Sequence, residues 1–245
     1  MGLFRHFNDR FIDMHIHVLP GVDDGSRDIE MSLDMLRIAG KNGITDMIVT
    51  PHYKNGRHNA DSIKIDQLIN ELTARMREEG ITINLYPGNE IFYYDGVAEE
   101  LEDGKVLSMN GTDRVLVEFM PGERYQYIRN AVDAICGAGF VPIIAHIERY
   151  ECMLDDISHA REISMMGAEI QINAAAVEGR LGHKVKKYVT SLLKERLVTY
   201  VGTDSHDADK RAPETGKCIA TLHKLCDEKY VTDIVCDNAL AIINA

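Results

Sequence analysis

The chain has 245 residues, 45% of them hydrophobic and 27% charged, with a formal net charge of −12. That length supports one substantial α/β core, and the acid excess argues against general binding to nucleic acid backbones, which needs Lys and Arg along a face. Five cysteines, Cys136, Cys152, Cys218, Cys226 and Cys236, form no CxxC pair, which argues against a disulfide framework and a thiolate metal site.

Residues 1–10 read as an N-terminal extension and 11–245 as one domain. The extension lacks the apolar stretch of a signal peptide, and His6 stands where the myristoylation pattern that begins at Gly2 needs Ser or Thr. No later apolar run approaches the roughly 18 residues of a membrane span. These features predict a cytoplasmic protein.

The first β-rich run, 11–18, carries Asp13-Met14-His15-Ile16-His17 and is followed by Asp23-Asp24-Gly25. Alternate side chains of a strand share a face, so His15 and His17 point the same way. Further runs near 47–52, 81–92, 114–119, 141–147, 168–173 and 197–203 predict strands. Between them lie stretches with helical spacing. Met31, Met35, Ile38 and Ala39 mark the first, and Ile63, Leu68, Leu72 and Met76 the second. Others fall near 124–138, 153–166, 184–196, 213–226 and 230–243. Gly43, Gly80, Gly139 and Gly167 each close a helical stretch just before a strand, a joint that suits the left-handed conformation.

Helix, glycine, strand repeated along the chain predicts a parallel sheet, open or closed. The polar residues choose between the two. His15 and His17, His52, Glu90, Glu118, His146, and Asp204 with His206 sit at or just beyond the C-terminal ends of their runs. An open sheet gathers function at one switch point, whereas a barrel collects it from nearly every strand. The expected fold is therefore a distorted (β/α)7 TIM-like barrel with its site at the C-terminal ends of the strands. Phe4, Phe7 and Phe11 would seal the barrel bottom or pack on a neighbour.

Nine residues form the expected metal set: His15, His17, Asp24, His52, Glu90, Glu118, His146, Asp204 and His206. Each alone has a bland reading, a core histidine or a solvated carboxylate. Their joint position at successive strand ends is what points to metal, because an ionised Glu118 after Arg114-Val115-Leu116-Val117 is costly to bury without a cation. Imidazole and carboxylate donors suit Mn²⁺, Zn²⁺ or Fe²⁺, and nine of them exceed what one ion can use. Two or three ions are expected.

The opening Ile12-Asp13-Met14-His15-Ile16-His17 with Asp23-Asp24-Gly25 resembles that of the polymerase-and-histidinol-phosphatase (PHP) superfamily. Thr50-Pro51-His52, Gly88-Asn89-Glu90-Ile91-Phe92, Ala145-His146-Ile147-Glu148-Arg149-Tyr150 and Asp204-Ser205-His206 look most like the bacterial metal-dependent protein-tyrosine phosphatases of capsule and exopolysaccharide synthesis. The resemblance runs from about Arg10 to the C-terminus. It departs over Met1 to Asp9, because such enzymes begin close to the His-x-His strand. It implies a seven-stranded PHP barrel with three ions, Mn²⁺ being the expected one, and a bacterial tyrosine kinase with a tyrosine-rich tail as partner. By that similarity His15, His17, Glu90 and Asp204 hold one ion, Glu90, Glu118 and His146 a second, and Asp24, His52 and His206 a third. For the phosphate that this activity implies, Arg149 and Arg211 are the expected binders, since guanidinium forks match phosphate oxygens. A strong general acid is less necessary for a phenolate leaving group; the sequence nominates none, and His206 and a coordinated water are the candidates.

Other classes fit less well. No cysteine has Arg six positions later, so a cysteine-based tyrosine phosphatase is excluded, and no GxxxxGK[ST] stretch supports a P-loop enzyme. A phosphatase of the same superfamily acting on histidinol phosphate or a sugar phosphate would share the metal set. A nuclease would need a basic, aromatic-rich stretch. A non-catalytic metal-binding scaffold fits poorly with an intact ligand set.

Overall fold

The computed structural model describes residues 10–245. Met1 to Asp9, with Phe4, Phe7 and the expected departure from the family pattern, lie outside the described residues. In chain order the strands are β1 (Phe11–Ile16), β2 (Ile44–Val49), β3 (His52–Lys54), β4 (Asn84–Pro87), β5 (Glu90–Phe92), β6 (Arg114–Glu118), β7 (Val141–Ile144), β8 (Glu169–Asn173) and β9 (Tyr200–Gly202). The α-helices are α1 (Ile29–Lys41), α2 (Ser62–Glu78), α3 (Val97–Glu102), α4 (Tyr125–Gly137), α5 (Glu151–Asp155), α6 (Ile157–Met165), α7 (Ala174–Glu178), α8 (His183–Lys194), α9 (Gly216–Leu225), α10 (Glu228–Thr232) and α11 (Asn238–Ile243).

Every described strand pairing is parallel, in the orders β1-β2-β4 and β3-β5-β6-β7-β8-β9. Two expected strands are thus each divided between the two sheets: 47–52 becomes β2 and β3, and 81–92 becomes β4 and β5. The cause is local. Pro51 has no N–H for a ladder, and Thr50 fills the break by accepting from Ile16 N–H at 3.0 Å. In the neighbouring break Asn89 donates to Pro51 O at 3.0 Å and accepts from Leu107 N–H at 3.0 Å. Register survives the interruption, with Val49 opposite Pro87 and His52 opposite Glu90.

The expected closed sheet is not present as one hydrogen-bonded ladder among the described residues. β9 and β1 meet only through the isolated parallel bridge Ile16–Ser205, with His17 N–H to Ser205 O at 3.0 Å and Asp204 N–H to His15 O at 2.8 Å. These backbone bonds belong to the residues just past β9, and beside them the Asp13 carboxylate accepts from Thr203 N–H at 2.9 Å, so a side chain takes one position of the ladder.

All six residues of β1 are buried, as a strand covered on both faces requires. Helix α1 starts at Asp28, whose carboxylate accepts from Met31 N–H at 2.9 Å, and buries Leu33, Met35, Leu36 and Ala39. On α2 the buried stripe is Ile65, Leu68, Leu72 and Met76; Ile63, expected on it, is 66% exposed because it lies two residues out of phase. The stretch expected as one helix at 153–166 begins at Glu151 and breaks at Asp156, which caps α6 by accepting from Ser158 N–H at 2.8 Å. The one expected at 230–243 contains a π-helical turn, Asp233–Asp237. Gly43, Gly80, Gly139 and Gly167 have φ of 83°, 71°, 87° and 107°, the left-handed values their positions call for. No disulfide joins the cysteines among the described residues, and burial pushes the Cys152 thiol up, as suits a bystander. No described helix is long and apolar enough to cross a membrane.

Candidate metal centre

The parallel arrangement brings the C-terminal strand ends together, and with them the nine side chains. His15 and His17 come from β1 and its exit, His52 and Glu90 open β3 and β5, and Glu118 ends β6. His146 follows β7, while Asp204 and His206 follow β9. Asp24 lies on the loop after β1, its side chain 70% exposed at the rim.

Glu90 is fully buried at the centre of this group. Its Oε1 lies 2.8 Å from His146 Nε2 and 3.3 Å from His15 Nε2. Its Oε2 lies 3.2 Å from His17 Nε2 and 3.0 Å from His52 Nδ1. Asp204 Oδ1 stands 3.6 Å from His15 Nε2 and 3.5 Å from His17 Nε2. Glu118 reaches His52 Nδ1 at 3.2 Å and His146 Nε2 at 3.8 Å. Asp24 Oδ1 faces His52 Nε2 at 3.2 Å and His206 Nε2 at 3.6 Å. Four overlapping groups result, each with its donor atoms within 4.8 Å of one another: His17, Asp24, His52 and His206; His15, Glu90 and His146; His15, His17 and Asp204; His52, Glu90 and Glu118.

These donors fit divalent cations. His52 Nδ1 lies close to Glu90 Oε2 and Glu118 Oε1, yet these three buried atoms, one of the four groups, are not aligned for a hydrogen bond with one another or with any other group. Buried polar atoms are normally paired, so three orphans converging on one point call for a shared cation. The charge balance makes the same demand. Burial disfavours charge on His52, yet Asp24, Glu118 and Glu90 raise its pKa to about 11. Burial likewise opposes charge on His17, and Asp204, Asp23 and Glu90 carry it well above the usual histidine value. Burial and the neighbouring His17 lower His206 to about 3, a histidine kept neutral. Without metal, protons on imidazoles offset the carboxylates; ions that displace those protons would do so more completely.

Sequence reading left the supporting residues unassigned. Asp23 Oδ2 takes His17 Nδ1 at 2.8 Å and His52 N–H at 3.1 Å, while Oδ1 accepts from Gly25 N–H at 2.9 Å. Gln171 Oε1 faces His15 Nδ1 at 3.2 Å and accepts from His146 N–H at 2.6 Å. With each Nδ1 so engaged, Nε2 of His15 and of His17 is left for an ion. Buried Tyr150 donates to Ala145 O at 2.9 Å beside His146. His146 and Asp204 have φ of 32° and 51°, a conformation that costs non-glycine residues about 1–3 kcal/mol each. Their presence at the site is the usual place for such strain. Two glycines permit close approach: a Cβ on Gly25 would collide with the His17 carbonyl, and one on Gly202 would sit 2.8 Å from His15 Cβ. Asp23 and Gly25 flank Asp24 in the motif, a signal that could have drawn them in; Gln171 gave none.

Arg149 and Arg211 both reach the second oxygen of Asp204. Arg149 donates to Oδ2, Arg211 approaches it at 3.0 Å and donates to Asp204 O at 2.9 Å, and Asn173 Nδ2 donates to Oδ2 at 2.9 Å. Arg211 is further held by its N–H to Asp207 Oδ1 at 2.9 Å. The two guanidiniums, 35% and 41% exposed, line a cavity of about 290 Å³ that opens beside the histidine cluster.

Comparison with known proteins agrees with this geometry. The profile of the family described as "Capsular polysaccharide synthesis, CpsB/CapC" matches residues 11–244. The chain is 30% identical to tyrosine-protein phosphatase YwqE of Bacillus subtilis over 213 residues, covering 87% of this chain and 84% of that protein. It is 28% identical to tyrosine-protein phosphatase CpsB of Streptococcus pneumoniae over 237 residues, covering 95% and 98%. Among solved structures, one from a crystallographic study of YwqE and CpsB as "unique metal-dependent tyrosine phosphatases" superposes with a TM-score of 0.88 at 29% identity, covering 95% of this chain and 94% of that one. Histidinol phosphate phosphatase from Lactococcus lactis matches at a TM-score of 0.58 and 16% identity, covering 88% and 94%, a likeness of fold alone. The chain belongs to the CpsB/CapC family.

Proposed function

We propose that this chain is a metal-dependent protein-tyrosine phosphatase of capsule or exopolysaccharide synthesis, hydrolysing phosphotyrosine on protein. The observation that carries this reading is the cluster of imidazoles and carboxylates around Glu90, edged by Arg149 and Arg211 on the open side. His15, His17, Glu90 and Asp204 would hold one ion, Glu90, Glu118 and His146 a second, and Asp24, His52 and His206 a third. Mn²⁺ is the preferred ion, with Zn²⁺ or Fe²⁺ as substitutes. When bound, the ions supply Lewis acidity and an activated water near neutral pH.

The chain's own groups do the rest. Arg149 and Arg211 orient the phosphoryl group and offset its growing negative charge. Asp204 Oδ2 positions both guanidiniums, and Asp23 and Gln171 fix the imidazole tautomers. His206 Nδ1 faces Asp204 O at 3.0 Å, which leaves Nε2 for an ion and gives this residue a holding role before an acid role. A tyrosine phenolate leaves with little protonation, so the site works without a dedicated strong acid.

Further readings complete the proposal. Residues 11–245 form one domain, the strand runs follow a distorted (β/α)7 barrel path, and the protein is cytoplasmic. The phosphorylated tail of a bacterial tyrosine kinase is the proposed partner. A substrate panel tests the central reading: a phosphotyrosine peptide should be turned over with a kcat/KM well above that of histidinol phosphate or a sugar phosphate. The opposite order would transfer the assignment to small-molecule phosphate esters.

A further inference from the structure

Beyond Arg149 and Arg211, the cavity beside the histidine cluster carries two more cationic side chains, Arg180 and Lys210. Neither is needed to hold a single phosphoryl group at Asp204. We infer that Arg180 and Lys210 form a second anion subsite, which takes a carboxylate or phosphate borne one or two residues from the phosphotyrosine. The inference rests on the phosphotyrosine reading and names the class of peptide that the same site prefers.

Charge and geometry carry it. The chain bears a net charge of −12, yet this one cavity collects four cationic side chains. Its two acids leave the outer pair largely uncompensated. Asp204 is taken up by Arg149, Arg211 and Asn173, and Glu214 is exposed at the edge. Glu178 stands 3.8 Å from Arg180, at the outer limit of an ion pair, and is not part of the lining. Among the described residues no carboxylate lies within ion-pair distance of Lys210. The site is also ordered: Arg180 Nη2 donates to Lys210 O at 2.9 Å, which ties the end of the α7 turn to the loop carrying Arg211. A pinned guanidinium beside an unpaired ammonium, on the wall of a cleft, concentrates anions locally against the field of the whole chain. Leu181, 43% exposed in the same lining, gives a flanking side chain apolar surface to rest on. The cavity, about 290 Å³, sits at the lower edge of the roughly 300–1,000 Å³ usual for ligand pockets.

The test compares kcat/KM for peptides that share one phosphotyrosine and differ only in a flanking Ala, Asp, phosphoserine or Lys. Partly exposed ion pairs are worth up to about fivefold each, so the parent enzyme should favour Asp over Ala by about fivefold and phosphoserine by more, mainly through KM. Added salt should shrink the preference. Lys210→Glu, which alters a side chain without an ion partner, should cancel the preference or turn it toward Lys; Arg180→Ala should weaken it. The ratio of Asp to phosphoserine peptides identifies which anion the subsite takes. Equal turnover of all the peptides by the parent, or an unchanged ranking in Lys210→Glu, overturns the subsite alone. Turnover of a small phosphate ester with none of any peptide overturns the phosphotyrosine reading itself.

Discussion

Asp23→Asn isolates the idea that proton placement on a histidine controls metal binding. The Asp23 side chain is 4% exposed and uses both oxygens as acceptors, one for Gly25 N–H and the other for His17 Nδ1 and His52 N–H. Asparagine keeps the shape but has one acceptor. If its oxygen faces His17, its amide meets the Gly25 N–H, donor against donor. If its amide faces His17, Nδ1 must accept, the proton moves to Nε2, and the atom 3.2 Å from Glu90 can no longer bind an ion. Loss of such an outer partner costs about 10–100-fold in metal affinity, or about 1.4–2.8 kcal/mol. The unmatched donor should lower folding stability by about 1–3 kcal/mol besides. Calorimetric titration of Mn²⁺ into chelator-stripped protein measures the first effect directly, and denaturant unfolding the second. A variant that binds Mn²⁺ as the parent does, with unchanged kcat, would refute the tautomer argument.

Three other substitutions probe separate parts of the account. Arg149→Ala should raise KM for an aryl phosphate by about 10-fold or more while bound metal, measured by elemental analysis, stays constant, because Arg211 and Asn173 still hold Asp204; metal loss would mean the guanidinium is structural. Gly25→Ala should cost at least about 2 kcal/mol in unfolding experiments and weaken metal binding, because the new methyl group displaces the His17 backbone. Burial lifts Glu148 from its ordinary 4.5 to about 7, so the folded state binds its proton more tightly than the unfolded state does. Its contribution is therefore full below pH 4.5 and is lost as pH rises through about 7. Glu148→Gln should remove that loss, gaining on the order of 2–3 kcal/mol above neutrality and nothing at pH 4, read as the difference in unfolding free energy across pH.

The metal centre was more legible in the sequence than the sheet that builds it. A strand end followed by histidine or carboxylate can be read locally, and parallel connectivity then leaves few ways to arrange those ends except together. All nine groups do converge, with Glu90 in the middle. What the chain hides is longer-ranged. Thr50 and Asn89 look like ordinary strand-end polar residues, but they close the backbone gaps that divide two strands between two sheets. Gln171 lies in the middle of an apolar run and contacts His15, 156 positions away. Ile63 carries the right hydrophobicity in the wrong phase, and neighbouring Ile65 takes the core position instead. Short helices such as α3 and α7 hold too few residues to display a period. Local chemistry was thus readable, while hydrogen bonds joining distant segments were not.

Chelator-stripped protein titrated with Mn²⁺, with turnover of a phosphotyrosine peptide and bound metal followed together, tests the central claim most directly. Turnover should be absent at the start and rise as two or three ions bind per chain. Full turnover by protein that retains no bound metal would contradict the account.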